Sequence, residues 1–514
     1  MIKTDRPQGV LKLPLFSHKI VLNRPEAIGL SFFLFVGLAA RLRSYLAGIS
    51  LWVDEAALAN NLVALNFSQL FGPLAQNQVA PIGFCLFEKF MMIAWGNNEF
   101  ALKFLPFTAG SLALVLAFVM VYRVLGPLPA VLCAAQLAVI KEPLFYTTDL
   151  KPYASDLAVA LGLVNLAWSP RLPQISGKRF WLLFFAGTVA VWFSFPSVFV
   201  LGAIGIVYLA WYLKDRQWRE AVPFAVMGLV WLAAFAVQYH LLQSDGRYDD
   251  LVDAWTNRFA VLLPGSLEDL KSDGFLLYYV FRNPLWTSHP VISIPLYLAG
   301  CVLVWRKDKR FLLLMVLPLV LNFLASGLHA YPFRDRLLQY AVVFLFVPIA
   351  FSLTWLVKRN FKHRWIRWAG VVLIAANLAE PTVNAVQQLA VPARREEMKQ
   401  VVIYLKSHMA ENDGLYIYAH AMKTFSYYEN QLKLSHHGLI AGLGKDQSTP
   451  ERIQKEMDHL TGRVWLVFGH AKQFKGVDYE SKFLKEADRQ GKRIDQYVDV
   501  GASTYLYSFP SHRR

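Results

Sequence analysis

The chain has 514 residues, of which 55% are hydrophobic, 14% aromatic and only 17% charged. A water-soluble fold has no interior large enough for that much apolar surface, so the composition points to an integral membrane protein. The formal net charge of +16 would suit a nucleic-acid binder, but the cations sit in short clusters between apolar runs, the pattern of loops anchored at an anionic membrane face, and nucleic acid is excluded as a partner.

Residues 1–27 are basic and interrupted, with no small-residue cleavage site after them, which predicts a retained cytoplasmic tail and a first apolar run that stays as an anchor. A bilayer core of about 30 Å needs roughly 20 apolar helical residues. On that measure spans are predicted at 28–47, 102–122, 127–146, 153–168, 180–194, 197–213, 221–242, 290–305, 311–328, 337–357 and 368–388, about eleven in all, the one at 153–168 being short. The cations at Arg123, Arg171/Lys178/Arg179, Lys214/Arg216/Arg219, Arg306/Lys307/Lys309/Arg310 and "KRNFKHRWIR" then fall on the side of the N-terminus. The positive-inside rule reads this as a cytoplasmic (inner) membrane protein with its N-terminus inside and its C-terminal region outside. Arg41 and Arg43, near the outer end of the first span, depart from the rule.

The segment "PIGFCLFEKFMMIAWG" (81–96) is apolar but short and carries Glu88-Lys89 at its centre, where insertion of a charge costs roughly 3 kcal/mol. An amphipathic helix lying in the interface avoids that cost. With 81–96 lying flat, "LWVDEA" to residue 80, "YTTDLKPY" (146–153), the loop 243–289 and "HAYPFRDR" (329–336) all face outward, with the C-terminal region.

From about residue 394 the pattern changes. Met398, Val401, Val402 and Leu405 have amphipathic helix spacing, Asp413-Gly414 marks a turn, and "LYIYAH", "RVWLVFG" and "STYLYSF" read as strands. Thr449-Pro450-Glu451 is a helix start, with a capping hydroxyl, proline at the first helical position and an acid in the first turn. The predicted organisation is a tail (1–27), a polytopic α-helical membrane region with outer loops (28–393) and an extracytoplasmic α/β domain (394–514). Cys85, Cys133 and Cys301 lie in apolar contexts and read as buried structural thiols, and His436-His437 as an exposed loop pair.

Chemistry gathers on the outer stretches. Asp54 and Glu55 are adjacent and point apart on a helix or strand, so one can aim at a cavity while the other orients it or meets a cation; the bland alternative is a pair of acids capping the following helix. In "YTTDLKPYASD", Asp149 and Lys151 project to the same side of an extended segment, and Asp156 lies one helical turn below Tyr153, inside the apolar zone. "HAYPFRDR" offers His329, Tyr331, Arg334 and Arg336, whose guanidinium forks suit phosphate oxygens, unless they merely snorkel to lipid head groups. Acids and cations at one rim suit the attack of a hydroxyl on an activated group: a carboxylate takes the proton, and Lys or Arg stabilises a phosphate leaving group. Outside the cell no nucleotide is supplied, so the activated group must arrive on a lipid, as a polyprenyl-phosphate sugar does.

In their order these motifs resemble the GT-C superfamily of membrane glycosyltransferases, which includes protein O-mannosyltransferases, lipid A aminoarabinose transferases and galacturonosyl-type transferases. "LWVDEA" is similar to the acidic motif of that family's first outer loop, "QNQVAPIGFCLFEKF" to its proline-containing interfacial segment, "YTTDLKPY" to its acid-x-Arg/Lys-x-Tyr motif and "YPFRDRLLQYAVVFLFVP" to its Arg-bearing late span. The resemblance implies inverting transfer with Asp54 as the catalytic base, Asp149 as a second acid of the cavity, and Lys151, Arg334 and Arg336 on the lipid-linked phosphate. Where some members carry a lysine before the proline, this chain reads Val79-Ala80-Pro81, which leaves Gln78 as a neutral substitute. Some members bind a divalent cation, the one cofactor the resemblance brings in; the sequence offers no convincing ligand set, and no metal ligand is assigned. The implied partners are a polyprenyl-phosphate sugar donor, a lipid, glycan or protein acceptor, and membrane lipid. Asp245, Arg247, Tyr248, Asp249, Asp250 and Trp255 suit either contact with sugar or a lid. A transporter or flippase of lipid-linked saccharides is the competing reading, but it calls for ionisable residues deep in several spans and for paired repeats, and only Asp156 and Glu380 answer to that. A non-catalytic assembly factor is the third.

Overall fold

A computed structural model describes residues 9–11, 20–169, 173–242, 259–283, 289–436, 438–444, 447–471 and 477–510. The residues singled out between Asp245 and Trp255 lie outside these ranges, as does His437.

Each predicted span but the one at 127–146 falls largely on a single helix. Among the described residues eight helices are long and apolar enough to cross a membrane: Arg24–Leu46, Phe104–Leu125, Ser197–Lys214, Trp218–Leu242, Pro290–Lys307, Lys309–Gly327, Asp335–Lys358 and Arg364–Ala390. The chain is an integral membrane protein. Tyr153–Ala167 and Lys178–Phe193 are shorter, at 15 and 16 residues.

The stretch expected as one span at 127–146 is two helices, Pro127–Val139 and Lys141–Thr148, bent by 61°. Ile140 is extended, and Pro143 can neither donate to the carbonyl four residues back nor tolerate it against its ring. The break orphans the last carbonyls of the first helix. Arg41 answers them: its guanidinium donates to Leu137 O and Ala138 O, both at 2.9 Å, and to Gly37 O at 3.0 Å. Arg41 therefore departs from the positive-inside rule because it caps a neighbouring helix inside the protein. Gly37 permits the approach, since a Cβ there would lie 2.7 Å from that of Ala138. An Arg41→Leu variant, leaving the two buried helix-end carbonyls of Leu137 and Ala138 short of a donor, is expected to lose about 2–3 kcal/mol of stability. A thermal-unfolding midpoint in detergent equal to that of the parent would contradict it.

The segment at 81–96 is a 14-residue helix, Ile82–Trp95. Phe90 and Ile93 are exposed on one face, while Glu88 is completely buried on the other and the Lys89 ammonium donates to Leu62 O at 2.6 Å. The charges escape lipid by turning into the protein. Cys85 and Cys133 are buried and Cys301 is half-buried, all three as free thiols.

The C-terminal region folds as a five-stranded sheet of order β4-β3-β5-β7-β6: β3 (Gly414–Ile417), β4 (Leu439–Ala441), β5 (Gly462–Gly469), β6 (Lys492–Asp499) and β7 (Ala502–Phe509); a separate hairpin pairs β1 (Gly9–Leu11) with β2 (Ile20–Leu22). β3 runs parallel to β4 and β5, and β7 antiparallel to β5 and β6. The expected helix faces hold: Met398, Val401, Val402 and Leu405 are buried on Met398–His408, and Thr449 caps Pro450–Asp458. His436, expected to be exposed, is instead paired with Glu429 at 2.6 Å. The apolar core of this sheet continues into Leu51, Leu58, Leu62, Leu70 and Phe84 of the first long connection. The two regions share one core and are not separate bodies joined by a linker.

Candidate active site

The site is assembled where that shared core meets the ends of the long helices. Helix Val53–Ala64 begins at Trp52, so Asp54 and Glu55 lie in its first turn, where the helix dipole favours acids. Glu55 does cap the helix, as the bland reading holds: its Oε2 accepts from Trp52 N at 3.1 Å. Its Oε1 accepts from Leu150 N at 2.6 Å and faces the Lys103 ammonium at 3.5 Å. The Trp52 indole in turn donates to Asp149 Oδ1 at 3.1 Å. Segments far apart in the chain are thereby laced together.

The loop before Pro81 supplies Gln78. Gln76 and Asn77 adopt left-handed backbone, at φ of 61° and 54°, a turn that few non-glycine residues make. It brings Gln78 Oε1 to accept from the Lys151 ammonium at 2.6 Å. On the other side, Gly110 lets Tyr146–Thr148 press against the helix Phe104–Leu125, since a Cβ there would meet Thr147 at 2.2 Å. Arg336 completes the cluster, with its Nη1 donating to Asp54 Oδ2 at 3.0 Å and its guanidinium 5.6 Å from the ring of Tyr153.

Access separates the acids. Glu55 and Asp149 are buried, whereas the side chain of Asp54 is 30% exposed and that of Arg336 24%. Burial alone would raise the Asp54 carboxyl, but Lys151 and Arg336 outweigh it and hold it below the usual carboxylate range. Burial raises Glu55, with Lys103 opposing and Asp149 adding to the shift. Burial lowers Lys151, against the pull of Asp54. The outcome is an ionised, reachable carboxylate beside a reachable guanidinium, with buried groups holding both.

Not every expected residue joins this cluster. Arg334 lies 4.4 Å from the ring of Tyr279, on the helix Leu267–Arg282, rather than beside Arg336. The reason is local: Asp335 between them has φ of 53° and opens a 3₁₀ turn, so the two arginines diverge where an extended strand would have aligned them. His329 is exposed and packs against Phe259, 4.9 Å between ring centres. Tyr331 packs edge-on to Phe199 at 5.5 Å. Asp156 is buried one turn below Tyr153, near Tyr331 and Tyr340, with Oδ1 unpaired among the described residues.

Sequence reasoning missed the contribution of the C-terminal region. Arg395 stacks between Trp52 and Phe145, 4.5 and 3.8 Å from their ring centres, and so grips the segments carrying Asp54 and Asp149. Lys423 adds positive charge near Asp54. Glu396 is buried and accepts from the Thr424 hydroxyl at 2.7 Å. The signal was present as "ARREEMK", a charged run immediately before an amphipathic helix.

Burial raises Glu396 from 4.5 to about 7, opposed by the Thr424 hydrogen bond. The folded state thus keeps this proton longer than the unfolded chain does. Its ionisation costs stability as pH climbs from 4.5 to about 7, a penalty absent below that window and complete above it. Hydrogen exchange at residues 52–56, corrected for intrinsic rates, is expected to be faster at pH 8 than at pH 5.5, and Glu396→Gln to flatten that dependence. An unchanged slope in the variant would remove Glu396 as the cause.

The donor set does not fit a resident divalent ion. Asp54 is matched by Arg336, Glu55 by Lys103 and two backbone N–H groups, and Asp149 Oδ1 by the Trp52 indole; the buried Asp149 Oδ2, without a hydrogen-bond partner among the described residues, would by itself make a single ligand, fewer than a metal needs. Among the described residues no group of three or more His, Cys, Asp or Glu side chains is arranged to hold a metal ion.

No protein-family model and no curated protein matches the chain. Solved structures do. ArnT from Cupriavidus metallidurans in the apo state aligns over 93% of this chain and 97% of its own, with 13% identity and a TM-score of 0.50. ArnT from the same organism bound to undecaprenyl phosphate aligns over 94% and 97%, with 13% identity and a TM-score of 0.48. The apo oligosaccharyltransferase of Archaeoglobus fulgidus aligns over 94% and 75%, with 11% identity and a TM-score of 0.49. Aligned to apo ArnT over 93% of its residues, the chain has the fold of the GT-C membrane glycosyltransferases.

Proposed function

We propose that the protein is an inverting glycosyltransferase that moves a sugar from a polyprenyl-phosphate donor to an acceptor hydroxyl. The observation that carries this reading is the 3.0 Å pair of Asp54 and Arg336, partly exposed at the end of the helical bundle and backed by Lys151. With no donor bound, Arg336 quenches the basicity of Asp54. A phosphate entering beside Arg336 and Lys151 competes for the guanidinium, and Asp54 becomes the stronger base as the donor arrives. The acceptor oxygen then attacks the anomeric carbon from the face opposite the phosphate, its proton passes to Asp54, and the bond from carbon to phosphate oxygen breaks. The leaving phosphate keeps the electron pair, stabilised by Arg336 and Lys151.

In this reading Glu55 and Asp149 are positioning residues, Tyr153 and Gln78 shape the phosphate side, Arg334 and His329 lie farther out, toward the acceptor, and Tyr331 packs on the inner side near Asp156. The cluster faces the outside of the cytoplasmic membrane and the N-terminus faces the cytosol, as the basic loops imply. The reading is tested by incubating purified protein with a series of polyprenyl-phosphate sugars and following free polyprenyl phosphate. Slow donor hydrolysis or transfer with one donor is expected; no turnover with any of them argues for a carrier of lipid-linked saccharide.

A further inference from the structure

Arg41 is accounted for inside the protein, but Arg43 is not. It is exposed near the end of helix Arg24–Leu46, with no side-chain partner among the described residues. It lines a hollow of about 450 Å³, within the range of small-ligand sites, shared with Arg394, Glu397, Gln400, Tyr497 and Asp499. The walls come from the ends of two membrane helices, Arg24–Leu46 and Arg364–Ala390, and from the C-terminal sheet.

The hollow carries both signs of charge in fixed places. Arg394 reaches Asp499 Oδ1 at 3.4 Å and is 44% exposed, which leaves part of its fork open. The Tyr497 hydroxyl donates to Asp499 Oδ2 at 3.3 Å. Glu397 is buried; its Oε2 accepts from the Ser50 hydroxyl at 2.8 Å, and its Oε1 is buried with no hydrogen-bond partner among the described residues. An unsatisfied carboxylate oxygen at the wall of a hollow calls for a donor from outside the chain. Leu42 and Leu46 on one helix, and Val383 and Val386 on the other, are exposed apolar side chains beneath it.

We propose that this hollow binds the headgroup of a phospholipid with a primary ammonium, that is, a phosphatidylethanolamine. The phosphodiester meets Arg43 and Arg394, the ammonium donates to Glu397 and Asp499, and the acyl chains lie along the exposed Leu and Val side chains. Three N–H donors on a compact cation suit two carboxylates; a quaternary choline offers none, and a glycerol headgroup offers no charge. The inference does not depend on which reaction takes place at Asp54.

Full-length protein purified from vesicles of phosphatidylethanolamine, phosphatidylcholine and phosphatidylglycerol in equal amounts tests it, with retained lipid measured by native mass spectrometry. The ethanolamine lipid is expected to be retained about tenfold over each of the others. Glu397→Gln should abolish that preference, and Asp499→Asn reads the same interaction if Glu397→Gln does not fold. Arg43→Gln should lower retention of all three lipids. Equal retention of the three by the parent, or a preference untouched by these variants, overturns the proposal. So does displacement of the lipid by soluble glycerophosphoethanolamine at equal concentration, since the occupant would then be a free phosphate ester.

Discussion

Replacing Asp54 with asparagine is expected to lower sugar transfer by about 10²- to 10⁴-fold, the usual contribution of a positioned base. Asparagine keeps the size of the side chain and can still accept from Arg336, so the fold should survive. It cannot take a proton from an attacking hydroxyl. Donor binding should hold or improve, because Arg336 loses its anionic competitor for phosphate. The loss is therefore expected in kcat, with the KM for donor level or reduced. Turnover near that of the parent would remove Asp54 as the base, and with it the mechanism. The same replacement at Glu55 would disturb Trp52 N, Leu150 N and Lys103 together, and would report on folding instead.

The second large effect is expected at Arg336. An Arg336→Gln variant loses the charge that would meet the departing phosphate, which costs about 10²- to 10³-fold in turnover and raises the KM for donor. It also changes the pH profile in a fixed direction. Arg336 helps to hold Asp54 below the usual carboxylate range. Without that cation the Asp54 pKa rises, so activity on the acid side is lost at a higher pH than in the parent. Arg336→Lys keeps the charge but not the fork, and should recover the pH profile more fully than the turnover. An acid limb that stays in place in the glutamine variant would show that the two side chains do not share a site in solution.

The helices were legible because burial in lipid and burial in protein both demand apolar runs of a certain length. The break at Ile140 escaped notice because hydropathy does not register a backbone turn, although Pro143 was in view. The span pattern also left Arg41 as an unexplained departure from the positive-inside rule. Hydrogen bonds lower the cost of a charge in a span, and both terminal nitrogens of Arg41 are spent on carbonyls, two of them nearly a hundred residues away. Asp54, Asp149, Lys151, Gln78, Tyr153 and Arg336, named from residue type or from the resemblance, are brought together by the structure. Arg334 was grouped with Arg336 by residue type and by the resemblance, and the left-handed backbone of Asp335 sends the two apart.

The sequence by itself determined the membrane-embedded class, the run of helices, the strands of the C-terminal sheet that carry the longest apolar stretches, and the acids and cations available for chemistry. These follow from local composition and period, which each segment carries whatever its neighbours do. Tertiary structure alone decided which carboxylate is reachable, which cation opposes it, and that the C-terminal region grips Trp52 through Arg395. Exposure and pairing depend on contacts across hundreds of residues, and an aspartate with 30% of its side chain open reads in sequence like one that is fully buried.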